Sequence, residues 1–326
     1  MTNVQSQQWP VIDLNFPQPT LTLPDHLRRK IERLYTFEAL DSARAEAYQV
    51  PDFQLSRDRY IILSDAHKGD GHRQGDDFRH NEALYCDVLR HYLNQDYRLV
   101  LNGDNEEGWK SPYSAIMERY ASTAFAVERE FARRGPSHYI RIYGNHDSDL
   151  SDPRMVERHL TPVLGESVRV HAGMLLGNRI LIAHGHQGDI DSDRRAWLSR
   201  RVVRYLWRPV QRVLHLRINH AACHYDFHRR RDHFLHSWAQ SNRMLLIAGH
   251  THRPLFHPPD ELGPAYDEPI ITPHYVNDGC CVHTDGLTGV EIDQGEMRLI
   301  RWHAGKTEPT KTVYQRTDLE AMLARV

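Results

Sequence analysis

Residues 139–147 read YIRIYGNHD. The first four have the aromatic and β-branched character of a strand with one arginine set into it. The chain then turns at Gly144 and presents an amide, an imidazole and a carboxylate in succession, Asn145, His146 and Asp147. Alone, such a stretch is a polar turn that happens to hold a histidine. Four more segments have the same design: YIILSDAHKGDG (60–71), YRLVLNGDNEEGW (97–109), RILIAHGHQGD (179–189) and MLLIAGHTHRP (244–254). Each runs from apolar residues into polar, metal-capable ones beside a glycine. Between the first three lie DFRHNEALYCDVLRHYLNQ (77–95) and SAIMERYASTAFAVEREFARR (114–134), which have helical periodicity. Strand, helix, strand defines an α/β chain.

In open α/β sheets the ligand site lies beyond the carboxyl ends of the strands. Five strands that end in polar groups therefore deliver them to one place. Side chains two apart in a strand share a face, so Asp65 and His67 are expected to point together, as are His250 and His252. Gly69, Gly103, Gly144, Gly185 and Gly249 stand where the backbone must turn and approach something closely.

The chain has 326 residues, 40% of them hydrophobic, enough for a sizeable core in one large domain or two small ones. Its formal charge of −2 gives no global attraction to nucleic acid or an anionic membrane, so any such affinity must be local. Cys86, Cys223, Cys280 and Cys281 have neither a metal-binding spacing nor a disulfide framework and read as free thiols in a reducing cytoplasm. The N-terminus lacks a signal-type pattern, and no apolar run reaches the roughly 20 residues of a membrane span, which reads as a cytoplasmic protein.

The ordered blocks DAH, GDNEE, GNHD, AHGH and GHTH together resemble the calcineurin-like metallophosphoesterases over residues 58–303. The resemblance implies a four-layer αββα sandwich of two mixed sheets. It also implies a dinuclear metal centre that hydrolyses a phosphodiester, phosphomonoester or pyrophosphate bond through a metal-bound hydroxide. In that pattern Asp104 bridges the metals, Asp65, His67 and His252 complete one, and Asn145, His184 and His250 complete the other. The mixed ligands suit manganese, with iron and zinc as alternatives. His146 would protonate the leaving oxygen and Asp147 would orient it. Glu107 stands where the family more often has aspartate and would orient a ligand or a loop. His186 is a second histidine in its block and a candidate substrate contact.

Residues 1–57 read as an external N-terminal helical extension and 304–326 as a C-terminal tail ending in a surface helix. Residues 274–303 alternate as three short strands that would form the second sheet, with Cys280 and Cys281 as core thiols. Residues 190–242 exceed the connection the fold needs and form a helical insertion. From Arg194 to Tyr225 there are eight arginines and no acidic residue, with Val203, Trp207, Val210 and Leu214 as an apolar stripe that Pro209 divides. This reads as a lid for an anionic phosphorylated small-molecule or lipid substrate, with Arg194 and Arg195 as contacts, or as a peripheral membrane contact through residues 194–218 at the inner membrane surface.

Within the superfamily, GDNEEGW, GHTHRP and the basic insertion are similar to UDP-2,3-diacylglucosamine hydrolases, bacterial lipid-pathway enzymes. His146 departs from them, since they commonly carry arginine there. Two other readings are a nuclease that grips a backbone with the arginines, disfavoured by the apolar and aromatic residues among them, and a non-catalytic scaffold. A scaffold would show eroded ligands, whereas every motif position here is filled.

Overall fold

In the computed structural model, residues 37–72, 75–188, 225–256, 274–305 and 307–326 are described. A seven-stranded sheet has the order β12-β11-β10-β2-β3-β4-β5. Its strands are β2 (Tyr60–Leu63), β3 (Arg98–Asn102), β4 (Tyr139–Ile142), β5 (Val170–His171), β10 (Leu287–Asp293), β11 (Glu296–His303) and β12 (Thr310–Asp318). β2 to β5 pair in parallel, whereas β10 joins β2, β11 joins β10 and β12 joins β11 antiparallel. The second sheet runs β1-β6-β7-β8-β9, from β1 (Tyr48–Val50), β6 (Met174–Leu176), β7 (Ile180–Ile182), β8 (Leu245–Ala248) and β9 (Tyr275–Asn277), with only the β6–β7 pair antiparallel. Both sheets are mixed.

Strand alternation explains the layers. Tyr60, Ile62, Val100, Ile140 and Ile142 face Met174, Leu176, Ile180, Ile182, Leu245 and Ile247 in a core between the sheets. Ile61, Leu63, Leu99 and Leu101 point the other way, onto helices α1 (Glu82–Asn94), α2 (Tyr113–Tyr120) and α3 (Ala124–Ala132). Leu181, Leu246 and Ala248 point outward from the second sheet onto Leu235, Trp238 and Ala239 of α4 (Tyr225–Asn242). Helix, sheet, sheet, helix is the expected four-layer arrangement. Each fully buried aliphatic side chain contributes about 1.5–3 kcal/mol to it.

Three sequence expectations are corrected. The segment before residue 58 is not an external helical extension in its described part. A helix at Glu38–Ala45 packs Leu40 into the outer core, and β1 is the edge strand of the second sheet, paired with β6. The tail after residue 303 is likewise part of the fold. β12 pairs along β11, and Asp318 caps a final helix (Leu319–Leu323) through Ala321 N at 2.7 Å. Leu319, Met322 and Leu323 are buried in the inter-sheet core, so this is not a surface helix. Finally, the strands after residue 274 do not form one sheet. β9 joins the second sheet, while β10 and β11 extend the first, since backbone pairing and not hydrophobic alternation decides membership. Cys280 and Cys281 are buried thiols as expected. No helix among the described residues is long and apolar enough to cross a membrane.

Candidate metal centre

The five polar blocks meet at the ends of β2, β3, β4, β7 and β8. Backbone bonds hold the loops together: Asp65 N donates to Gly103 O, His67 N to Asp104 O and Lys68 N to Asn105 O, and Gly249 N donates to His184 O. Strand alternation does not aim the ligands, because the regular strands stop at Leu63 and Ala248. Asp65, His67, Asp104, His250 and His252 instead have φ between 49° and 66°. They are five of the nine described non-glycine residues with positive φ. That left-handed conformation is uncommon for residues other than glycine, though Asp and His are among those enriched in it, and it clusters at functional sites. A tight left-handed turn thus replaces alternation as the reason these side chains converge.

Ligand-type atoms of Asp65, His67 and His252 lie within 4.8 Å of one another, and so do those of Asp104, His184 and His250. A third group, His67, Asp104 and His146, overlaps both. In the first group Asp65 Oδ1 is 3.1 Å from His252 Nε2 and 3.6 Å from His67 Nε2, and the two imidazole nitrogens are 3.3 Å apart. A four-coordinate ion with bonds of about 2.0–2.1 Å spaces its ligands by roughly 3.3 Å, so these edges fit one ion. Asp104 Oδ2 is 3.2 Å from His184 Nε2 and 3.9 Å from His67 Nε2, between the two groups. Asp104 Oδ1 accepts from His146 N at 2.8 Å.

Asp65 Oδ1, Asn145 Oδ1 and His184 Nε2 are buried without a hydrogen-bond partner. Buried polar atoms normally have one, so these are the atoms a cation would satisfy. The described residues fit a metal of borderline character. His184 Nδ1 is held by Asn102 O at 2.8 Å, which leaves Nε2 for the ion.

The electrostatics agree. Burial alone would lower the pKa of His67, but Asp65 and Glu107 raise it to about 10. For His184 burial is again outweighed, by Asp104 and Asp65, and the pKa rises to about 9. Burial works to raise the Asp65 carboxyl, yet His252 and His184 hold it well below the ordinary range. The carboxylates make a strongly cation-seeking cavity. His250 and His186 are pushed well below the usual imidazole value by burial and then by His184, so both are neutral.

Glycine makes the close approach possible. A Cβ on Gly144 would stand 2.1 Å from Asp104 Oδ1, and one on Gly103, at φ +88°, 2.5 Å from the His184 ring.

One expected role changes hands. Asp147 does not orient His146: its carboxylate accepts from Gly144 N at 2.6 Å and Asn105 N at 2.7 Å, tying two loops together. Burial, then the charges of Asp104 and Glu106, raise its pKa to about 6. Glu107 Oε1 lies 2.7 Å from His146 Nδ1, and Glu107 Oε2 lies 3.3 Å from His67 Nδ1. One buried carboxylate therefore hydrogen-bonds His146 and lies within ion-pair distance of His67. Trp109 stacks on the His146 ring at 4.2 Å and donates from Nε1 to Asn145 O at 2.8 Å.

His186 is buried between the rings of His184, His250 and Tyr143, and its Nδ1 has no hydrogen-bond partner. Arg194, Arg195 and the stretch 194–218 lie outside the described residues. The end of the insertion is described. Arg231 of α4 donates to the carbonyls of Gly185 and Gln187, and Asp232 accepts from Thr251 Oγ1 at 3.2 Å. Two neighbouring residues thus brace the fourth and fifth blocks.

Sequence reading missed a buried ionic cluster beside the centre. Lys68 Nζ is 3.0 Å from Glu128 Oε1 and 3.5 Å from Glu106 Oε1, and Arg141 reaches both Glu106 and Glu128. All four side chains are at most 1% exposed. The signal was the arginine inside YIRIY, which alternation sends to the helix-facing side where Glu128 stands.

No protein-family model matches the chain. No curated protein matches it either. Among solved structures it is similar to Vacuolar Protein Sorting 29 from Cryptosporidium parvum, with 11% identity over 80% of this chain and 98% of that one and a TM-score of 0.35. It is also similar to a single-mutant Vps29 from Entamoeba histolytica, with 16% identity, the same coverages of 80% and 98%, and a TM-score of 0.31.

Proposed function

We propose that the protein is a two-metal hydrolase of phosphoric esters or anhydrides. The observation that carries this reading is the position of Asp104, whose Oδ2 lies between His184 and His67 and so between two ligand groups. Asp65, His67 and His252 would hold one ion and Asn145, His184 and His250 the other, with Asp104 shared. Manganese is the first choice, and zinc and iron suit the same ligands. A bound pair of divalent ions supplies a nucleophile at neutral pH and positive charge for the phosphoryl oxygens.

The chain's own residues do the rest. Glu107 and Trp109 fix the His146 ring, and with Nδ1 engaged by Glu107, Nε2 is the nitrogen left to give a proton to the leaving oxygen. This side chain is about one-fifth exposed, which suits a group that meets substrate. The substrate is a phosphorylated small molecule or lipid. The likeness of GDNEEGW and GHTHRP to lipid-pathway pyrophosphatases makes UDP-linked lipids one class to assay, in a cytoplasmic protein resting at the inner membrane surface. The test is to reconstitute metal-free protein with manganese, zinc or iron and assay monoesters, diesters and pyrophosphates side by side. Turnover that disappears in Asp104→Asn is expected. Full metal content with no turnover on any of them overturns the reading in favour of a scaffold.

A further inference from the structure

Asp278 follows β9 and is fully buried, with its backbone N donating to Ala248 O at the end of β8. Its Oδ1 lies 2.7 Å from Ser64 Oγ, and Ser64 Oγ lies 2.5 Å from Asp65 Oδ2. Its Oδ2 accepts from Asn102 Nδ2 at 3.2 Å, and Asn102 O is the group that holds His184 Nδ1. One side chain therefore reaches a ligand of each metal group through a single intermediary. No motif reading singled it out, because it lies outside the five blocks.

We infer that Asp278 is a positioning residue that carries a proton and couples the two halves of the metal centre, through Ser64 to Asp65 and through Asn102 to His184. The inference rests on the proposed reading of Asp65 and His184 as ligands. The proton follows from counting. A serine hydroxyl has one hydrogen, yet Ser64 Oγ meets two carboxyl oxygens at 2.5 and 2.7 Å and the more distant Gly279 O at 3.3 Å; a carbonyl cannot donate, so the geometry assigns the second donor to one of the two acids. Asp65 Oδ2 already accepts His250 N at 2.9 Å and serves as acceptor. Among the described residues the Asp278 carboxyl is hydrogen-bonded to the neutral groups Ser64 Oγ and Asn102 Nδ2, and burial pushes it well above the ordinary range. Its O–H donates to Ser64, Ser64 donates to Asp65 Oδ2, and Asp65 Oδ1 is left facing the ion.

The test measures uptake of Mn²⁺ or Zn²⁺ by titration calorimetry and by metal content after dialysis, on the full chain. Asp278→Asn keeps a donor for Ser64 and an acceptor for Asn102, so its affinity is expected within about threefold of wild type at both ions. Asp278→Ala is expected to lose about tenfold or more at both, in line with removal of groups that hold metal ligands. A residue that merely fills space would lower melting temperature without moving metal affinity. Should the alanine variant not fold, Asp278→Asn and Ser64→Ala decide the matter, the latter expected to weaken the ion held by Asp65. Metal loss in Asp278→Asn equal to that in Ser64→Ala or Asp278→Ala overturns the proton-bearing role, and wild-type affinity in Asp278→Ala overturns the coupling. A wild-type protein that takes up no divalent ion overturns the metal-centre reading itself. Uptake without phosphoesterase turnover overturns the hydrolase reading and leaves the role of Asp278 standing.

Discussion

His146 Nδ1 lies 2.7 Å from Glu107 Oε1, and the same carboxylate reaches His67 Nδ1 with its other oxygen at 3.3 Å. The proposed proton donor and a candidate metal ligand thus both lie against one buried group. His146→Ala should slow esters with alkyl leaving groups by about 10²-fold or more, and nitrophenyl esters far less, because nitrophenolate leaves without a proton. Glu107→Gln should show the same selectivity in weaker form, with some loss of metal. Steady-state kinetics on the two substrate types decide it, and equal losses on both would sink the acid assignment.

Gly144→Ala places a methyl group against Asp104. Metal affinity is expected to fall at least tenfold while the far-ultraviolet circular dichroism of the metal-free protein stays unchanged. An undiminished metal content would show that the Asp104 carboxylate can move without cost.

Lys68→Met removes one of the two cations that Glu106 and Glu128 share and leaves Arg141 alone between two buried carboxylates. Breaking such a pair costs about 3–5 kcal/mol, to be read from urea denaturation. Adding Glu128→Gln should recover part of that cost, since the two substitutions act on one interaction. Additive losses would mean that the cluster is not coupled.

The raised pKa values of His67, about 10, and His184, about 9, make a pH prediction for the metal-free protein. Both lie above the unfolded value of about 6.5, so the folded state binds the extra protons. Their stabilisation is complete below pH 6.5 and is lost as pH rises through 9 to 10. Melting temperature of the metal-free protein should therefore fall over that window. A histidine must be neutral to bind a metal, so loading at pH 8 should release more than one proton per chain, measurable by calorimetry in buffers of different ionisation enthalpy. Uptake without proton release would contradict it.

His236 of α4 responds in the opposite direction. Burial, then His274 and His233, lower its pKa to about 4, so the unfolded chain binds the proton first as pH falls. Stability from this residue is present above pH 6.5 and declines as pH falls from there towards 4. His236→Gln should flatten the drop in melting temperature between pH 7 and 5, and an unchanged slope would remove His236 as its source.

The chain alone determined the five strands that carry the polar blocks, the helices between the first three and the set of polar residues that meet, because hydrophobic period and glycine placement are local properties. YIRIYGNHD could be read as a strand that ends at a site from nine residues. What the three polar residues do there was not legible. Asp147 is next to His146 in sequence, yet it bonds the backbone of Gly144 and Asn105, while Glu107, 39 positions away, holds the imidazole. Which carboxylate reaches a ring depends on loop geometry fixed by left-handed turns at Asp65, His67 and Asp104, and those turns are set by pairing between distant strands. The same reason hid Asp278, whose importance lies only in the two side chains it touches, and the sheet membership of β1, β9 and β12, which backbone hydrogen bonds between remote segments decide.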